Sequence, residues 1–287
     1  MLKRIIASLL AIALLVIPGC AVTDDVSSSY NSVVALSKSI GDMWLLAGGT
    51  LKGITEDGLE LEGASDVAVV GTVTQPNLEA ILELEPDLVL VSAELSSHAE
   101  IKAELDNLGI DTIAVAVNSF DDYDSYMKTF AEFTGRADLY ELNVTSIRNS
   151  IDEIISLVPS AGEGLTYLAI RVSATKNKVL KNDYFACGIF NDLGLNNVVT
   201  DNSELDEISA EWIAGADPDI IFVVLHGQED EAMDSFTQAF ESSAFWGELT
   251  AVSEGRVFVL PKDYFQYKPN ALWADAYQYA YDLIYEG

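Results

Sequence analysis

The chain has 287 residues, 49% of them hydrophobic, enough for one large domain or two medium lobes with real cores. Its 46 Asp and Glu against 15 Lys and Arg give a formal net charge of −31. So acidic a surface repels phosphate backbones and anionic headgroups, which excludes nucleic-acid binding and membrane attachment through a basic patch.

Lys3 and Arg4 open the chain, Ile5 to Ile17 is almost wholly apolar, and Pro18-Gly19-Cys20 follows. A basic start, a short apolar run and a small residue at a cut site make a secretory signal over residues 1–19. The run falls short of the roughly 20 residues a membrane span needs. The cysteine after Gly19 resembles a bacterial lipobox. That implies lipid on Cys20 and an exported protein anchored to the outer face of the cell membrane. Pro18 departs from the usual small residue there, and an ordinary cleaved signal is the alternative. Residues 20–30, with Ser27-Ser28-Ser29, read as a flexible tether. With Cys20 acylated, Cys187 has no disulfide partner, and its apolar surroundings Phe185-Ala186-Cys187-Gly188 read as core.

Beyond the tether, strand and helix patterns alternate, the mark of an α/β fold with parallel strands. Val33 to Leu36 reads as a strand. Ser39-Ile40-Gly41-Asp42 reads as a capping box for a helix through Leu46, stopped by Gly48-Gly49. Short strands at 52–54 and 67–70 flank an Asp57-Gly58 turn. A helix at 77–84 precedes Pro86-Asp87 and the buried strand Leu88 to Val91. Helix 99–108, strand 112–117 and helix 120–135 follow. A long helix from Asp138 to Val158 then places Leu139, Leu142, Ile147, Ile151, Ile154, Ile155 and Val158 on one face. Pro159 ends it, with Gly162 and Gly164 beyond. The second half reads as strand 165–171, helix 185–193, a short strand at Val198-Val199, a helix reaching Asp217, strands 220–225 and 256–260, and a last helix 270–284.

An internal echo links the halves. Glu79-Ala80-Ile81 stands before Pro86-Asp87-Leu88-Val89 at the spacing that Glu211-Trp212-Ile213 keeps before Pro218-Asp219-Ile220-Ile221. Two lobes of like topology are the expected reading.

These residues resemble a known family. Leu36 to Asp57, with Ala47-Gly48-Gly49 and Gly53-Ile54-Thr55, resembles the opening of the substrate-binding proteins of iron-chelate and cobalamin ABC importers. Asn77-Leu78-Glu79-Ala80-Ile81 with Glu85 to Val89 is similar to their most recognisable block, and Asp192-Leu193-Gly194, Asn197-Val198 and Glu211 to Ile221 match second-lobe blocks in the right order. The resemblance implies two Rossmann-like lobes with parallel central sheets, joined by one long helix, with a ligand cleft between them. It sets lobes at 31–135 and 161–287 and the joining helix at 136–160. Glu79 and Glu211 would dock on the permease through its arginines. The implied function is capture of a metal chelate, a ferric siderophore foremost with haem or cobalamin as alternatives, and delivery to an ABC permease. The protein would be a monomer without an intrinsic cofactor, its ligand carrying iron or another chelated metal.

Loops after strands supply the cleft candidates Ser37, Lys38, Ser39, Arg171, Tyr184, Tyr264, Tyr267 and Lys268, with Glu94 to His98, Asn118 and His226-Gly227-Gln228 beside them. Lys38 stands where relatives usually carry proline. Arg171 ends an apolar strand and needs an anionic partner, from the protein or from a ligand. His98 and His226 are weak metal-ligand candidates, more naturally surface-loop histidines. Trp44 and Trp273 read as helix core. No motif for a nucleophilic serine, a phosphate loop or a zinc hydrolase is present, so a binder is expected rather than an enzyme. A haem scavenger without a permease and a chelatase-like lipoprotein enzyme on the same fold are the alternatives.

Overall fold

The computed structural model describes residues 30–159, 164–199 and 209–286. The signal, Cys20, the tether serines and Gly162 lie outside them. Among the described residues no helix is long and apolar enough to cross a membrane.

The first sheet is wholly parallel. It runs β1 (Val33–Ala35), β2 (Gly53–Ile54), β3 (Ala68–Val69), β4 (Leu88–Ser92) and β5 (Asp111–Val115), in the order β3-β2-β1-β4-β5. Val33, Val34 and Ala35 and Leu88 to Val91 are all buried, as strands covered on both faces must be. Helices α1 (Lys38–Leu46), α2 (Leu78–Glu83), α3 (Ser96–Asn107) and α4 (Phe120–Thr134) cover it. α1 starts earlier than the capping box implied. Ser37 is the cap, its Oγ accepting from the Ile40 N–H at 3.4 Å, while Asp57 takes the Lys38 N–H at 2.9 Å. Two first-turn donors are thereby satisfied, leaving Ser39 inside the helix. At the other end Gly48 adopts φ +86°, and a side chain on Gly49 would collide with the Trp44 ring.

The joining helix is one continuous run made of α5 (Ala137–Tyr140), a π turn over Glu141–Thr145 and α6 (Ser146–Ser156). The π turn inserts one residue into the helical register. Val144 is therefore buried, while Leu142, expected on the buried face, is 61% exposed.

The second sheet contains β6 (Thr166–Val172), β7 (Asn177–Val179), β8 (Asn196–Asn197), β9 (Ile220–Leu225) and β10 (Val257–Leu260). Its order is β10-β9-β6-β7, with β8 pairing the start of β6. It is not wholly parallel, because β7 folds back on β6 as an antiparallel hairpin. The strand expected at Val198-Val199 falls two residues earlier, as β8. The helices are α7 (Phe185–Asp192), α8 (Ala210–Ala216), α9 (Glu229–Phe236), α10 (Thr250–Ser253), α11 (Lys262–Phe265) and α12 (Trp273–Tyr285).

The sequence echo is structural down to single hydrogen bonds. Asn77 caps α2 through the Ala80 N–H, and Ser209 caps α8 through the Trp212 N–H, each at 3.2 Å. Ile81 and Ile213 are both fully buried. Glu85 (φ 46°) and Asp217 (φ 40°) stop the two helices in the left-handed region. Asp87 then accepts from the Asn31 and Ser32 N–H groups at 2.7 and 2.9 Å, and Asp219 accepts from the Thr166 N–H and Oγ1 at 2.7 Å each. Each aspartate thus clamps the start of its lobe's central strand.

One hydrophobic core is shared by both lobes, uniting Leu88 and Leu90 with Ile151, Tyr167, Phe222 and Ala276. Trp273 is wedged edge-on between Phe120 and Phe185, both ring centroids 5.9 Å away. Trp44 and Cys187 are buried too.

Candidate ligand-binding cleft

In the first sheet the chain winds outward in both directions from β1 and β4, leaving a crevice at their C-terminal ends. A cavity of about 190 Å³ occupies it, walled by Ile40, Met43, Val73, Leu95, Val115 and Val117, with Ser37, Ser39 and Ser92 as its hydroxyls. The corresponding crevice of the second sheet lies past β6 and β9. A larger cavity of about 650 Å³ sits there, lined by Arg171, Lys178, Lys181, Asp183, Tyr184, His226 and Gln266, with Glu94, Leu95 and Asn118 reaching in from the first lobe. Lys268 lines both chambers.

The charge of the larger chamber opposes that of the chain. Four cations, Arg171, Lys178, Lys181 and Lys268, face two carboxylates, Glu94 and Asp183, in a protein with three times as many acids as bases. Among the described residues the Arg171 and Lys178 side chains have no hydrogen-bond or ion-pair partner. Internal pairing, one of the two expectations for Arg171, is not what the structure shows. The Gln266 Oε1 is buried there without a partner, while its amide nitrogen lies 3.3 Å from His226 Nδ1.

Lys268 bridges the lobes. Its Nζ lies 3.6 Å from Glu94 Oε1, 3.5 Å from Asn118 Oδ1 and 5.0 Å from the centre of the Phe185 ring. Burial pushes its ammonium pKa down, against the pull of Glu94. The His226 pKa is lowered by burial first, then by Arg171 and Lys262.

Other candidates are deployed differently. Tyr184 shows its ring to the large chamber, but its hydroxyl donates to the Phe265 carbonyl at 2.8 Å, and burial raises its pKa. Tyr264 sits on α11 and packs its ring on Phe265 and Tyr279 instead of facing the cleft. The sequence showed a loop there, and the short helix turns that side chain inward. Tyr267 and Lys38 flank a side recess, with the Lys38 ammonium 5.8 Å from the Tyr267 ring and 3.4 Å from Glu60. Ser39 lines the small chamber while its carbonyl accepts from Asn270 Nδ2 at 2.9 Å. His98 is no surface-loop residue: it is wholly buried, its Nδ1 accepting from the Ser92 N–H at 2.8 Å and its Nε2 donating to the Val73 carbonyl at 2.7 Å. Both ring nitrogens are committed, so His98 cannot ligate a metal as placed. Glu79 and Glu211 are exposed in the first turns of α2 and α8.

Sequence reading missed Lys178 and Lys181. The available signal was the lysine recurrence through Lys176, Lys178 and Lys181 just after Arg171, in a chain otherwise poor in cations.

Two lobes built on parallel and mainly parallel sheets, one joining helix and a cleft at both switch points define a bilobed solute-binding protein. A family model described as "Periplasmic binding protein" matches residues 33–264, and the chain belongs to that family. Its members bind solutes and deliver them to ABC importer permeases. The chain is 26% identical over 246 residues to the Fe(3+)-citrate-binding protein YfmC of Bacillus subtilis, covering 83% of this chain and 75% of that one. It is 27% identical to the petrobactin-binding protein YclQ of the same organism, with 67% of this chain and 61% of that one covered. An ABC transporter substrate-binding protein from Listeria monocytogenes shares the fold at a TM-score of 0.76 and 22% identity, covering 89% of this chain and 99% of that one.

Proposed function

We propose that this protein is the extracytoplasmic binding component of an ABC importer, and that it captures an anionic ferric chelate rich in carboxylates. The observation that carries the reading is the cation cluster in the large chamber of a −31 chain. Arg171 and Lys178 without carboxylate partners repel a bare metal cation and attract an anion, and a guanidinium takes a carboxylate through two parallel hydrogen bonds. The unpartnered Gln266 Oε1 beside them suits a ligand hydroxyl. The Fe(3+)-citrate specificity named for the Bacillus relative agrees with such a ligand. An iron-bound porphyrin wants an axial side chain; Tyr184 and His98 have their polar atoms engaged, which leaves His226 in the large chamber as the residue a haem would use.

Glu79 and Glu211 would dock on two arginine-bearing sites of the permease. The shared cap, buried isoleucine and stop of their two helices give them equivalent surroundings, as a two-fold permease requires. Lipid on Cys20 would keep the carrier at the membrane.

The test is a titration of the protein with ferric citrate and with free Fe(III) or Zn(II), followed by tryptophan fluorescence, alongside mass and metal analysis of whatever co-purifies. Saturable binding of the anionic chelate and weaker binding of bare cations is the expected result. Preference for bare cations, or no binding of any ferric chelate, overturns the reading.

A further inference from the structure

The large and small chambers share three lining residues, Glu94, Leu95 and Lys268. Lys268 comes from the loop after α11, in the second half of the chain, yet both polar contacts of its ammonium are to first-lobe residues, Glu94 after β4 and Asn118 after β5. Its side chain is only 20% exposed, with its ammonium over the Phe185 ring, whereas Glu94 is 48% exposed. The same loop is tied to the first lobe a second time, where Asn270 Nδ2 donates to the Ser39 carbonyl and to Asp42 at 2.8 Å. The two ties differ in what could replace them. Asn270 is buried at 2% exposure and lines neither chamber, whereas the Lys268–Glu94 pair is part of the wall of both.

We infer that Glu94 is a stand-in anion for Lys268: it latches the two lobes across the cleft, and a carboxylate of the bound chelate takes its place, so that Lys268 selects anionic over neutral chelates. This rests on the ferric-chelate reading of the cleft. A half-buried ammonium is costly without an opposite charge, so Lys268 holds Glu94 until another anion arrives. At 3.6 Å, with Glu94 half in solvent, the pair is loose enough for a bidentate carboxylate to displace. A neutral chelate can break the pair but cannot replace it, leaving Lys268 uncompensated. Discrimination then comes from the cost imposed on the wrong ligand as much as from attraction of the right one. The exchange also couples capture to lobe geometry. The Glu94 contact is lost as the ligand enters, and the ligand itself spans the lobes in its stead.

Glu94→Gln and Lys268→Gln separate the roles. Calorimetric titration with ferric citrate, and with a neutral ferric trihydroxamate as the comparison chelate, is the measurement. Glu94→Gln removes the competitor and is expected to tighten ferric citrate about tenfold, while Lys268→Gln weakens it about tenfold, each a single unit of log affinity. Neither change should move the trihydroxamate in the same direction by a similar factor. Hydrogen exchange without any chelate is the second readout, in which Glu94→Gln should speed exchange at residues 266–268 several-fold. Weaker ferric citrate binding in Glu94→Gln, unchanged binding in Lys268→Gln, or parallel shifts for both chelates overturns the exchange. If the unsubstituted protein binds neither chelate, the ferric-chelate reading falls. The latch is then decided by exchange rates alone, and unaltered rates in Glu94→Gln overturn it.

Discussion

Arg171 and Lys178 face each other directly across the β6–β7 ladder, two cations in register with no carboxylate between them. Like charges placed opposite on a sheet are destabilising by a few tenths of a kcal/mol to about 1 kcal/mol. A sequence with 46 acidic residues had ample means to neutralise them, so the pair marks a place where an anion from outside is expected.

Arg171→Gln should therefore separate binding from stability. Ferric citrate affinity should fall at least about tenfold, the loss of one charge-assisted contact. Urea unfolding should show stability unchanged or raised by up to about 1 kcal/mol, because a like-charge contact is relieved. Equal losses of affinity and stability would mean that Arg171 is structural.

The pH dependence of binding should trace to His226. Burial, then Arg171 and Lys262, hold its pKa below the ordinary 6.5, so the ring is neutral at pH 7. For folding alone this costs stability as pH falls through 6.5, because the unfolded chain takes up the proton first. An anion beside Arg171 reverses the balance by raising the His226 pKa in the complex. Binding then takes up a proton, and affinity rises as pH falls through the window between the free and bound values. Calorimetry near pH 6 in buffers of different ionisation enthalpy should show the uptake, and His226→Gln should abolish it.

Asp42 offers a stability test away from the cleft. Burial raises its carboxyl pKa, against the pull of the Asn270 hydrogen bond and of Lys38. A carboxyl raised in the folded state favours folding below its unfolded value of about 3.9, and that contribution is lost as pH rises through the raised value. The Asn270 Oδ1 is buried without a partner beside it. Asp42→Asn keeps the acceptor for Asn270 Nδ2, removes the charge and adds an N–H for that oxygen. It should stabilise the protein at pH 7 by about 1 kcal/mol, one satisfied hydrogen bond. The gain should shrink towards zero near pH 4, where protonated Asp42 can donate in the same way. Thermal melts of both proteins across that range check it.

Reversing both docking glutamates, Glu79→Lys with Glu211→Lys, should abolish chelate uptake by cells while leaving ferric citrate affinity within about twofold. Both residues are exposed, and each substitution should cost only the helix-dipole contribution, about 0.3–1 kcal/mol. Uptake that persists would remove the docking role.

The two-lobe plan was legible because its signals are local and doubled. Asn77 with Ile81 and Asp87, and Ser209 with Ile213 and Asp219, fix a cap, a buried face and a strand clamp within short stretches of chain. The cleft was only half legible. Arg171 and Lys268 stood out as cations at strand and loop ends. Lys178 lies on a three-residue strand, Asn177-Lys178-Val179, too short and too polar to show a strand period, and its position opposite Arg171 arises only from the hairpin. Tyr264 was misplaced for a similar reason, since a single turn of helix carries little pattern of its own. Leu142 was misplaced because a regular helical period cannot foresee an inserted residue.

That inserted residue sets the aim of one lobe against the other. Each helical residue contributes about 100° of rotation and 1.5 Å of rise. Deleting one residue from Glu141–Thr145 would regularise the joining helix and swing all that follows α6 through about that angle. Arg171 and Lys178 would keep their ladder, and β1 and β4 would keep their crevice, but Lys268 would no longer find Glu94. The protein would hold two intact half-sites that never meet, its specificity erased by an indel in a turn of helix that lines neither chamber.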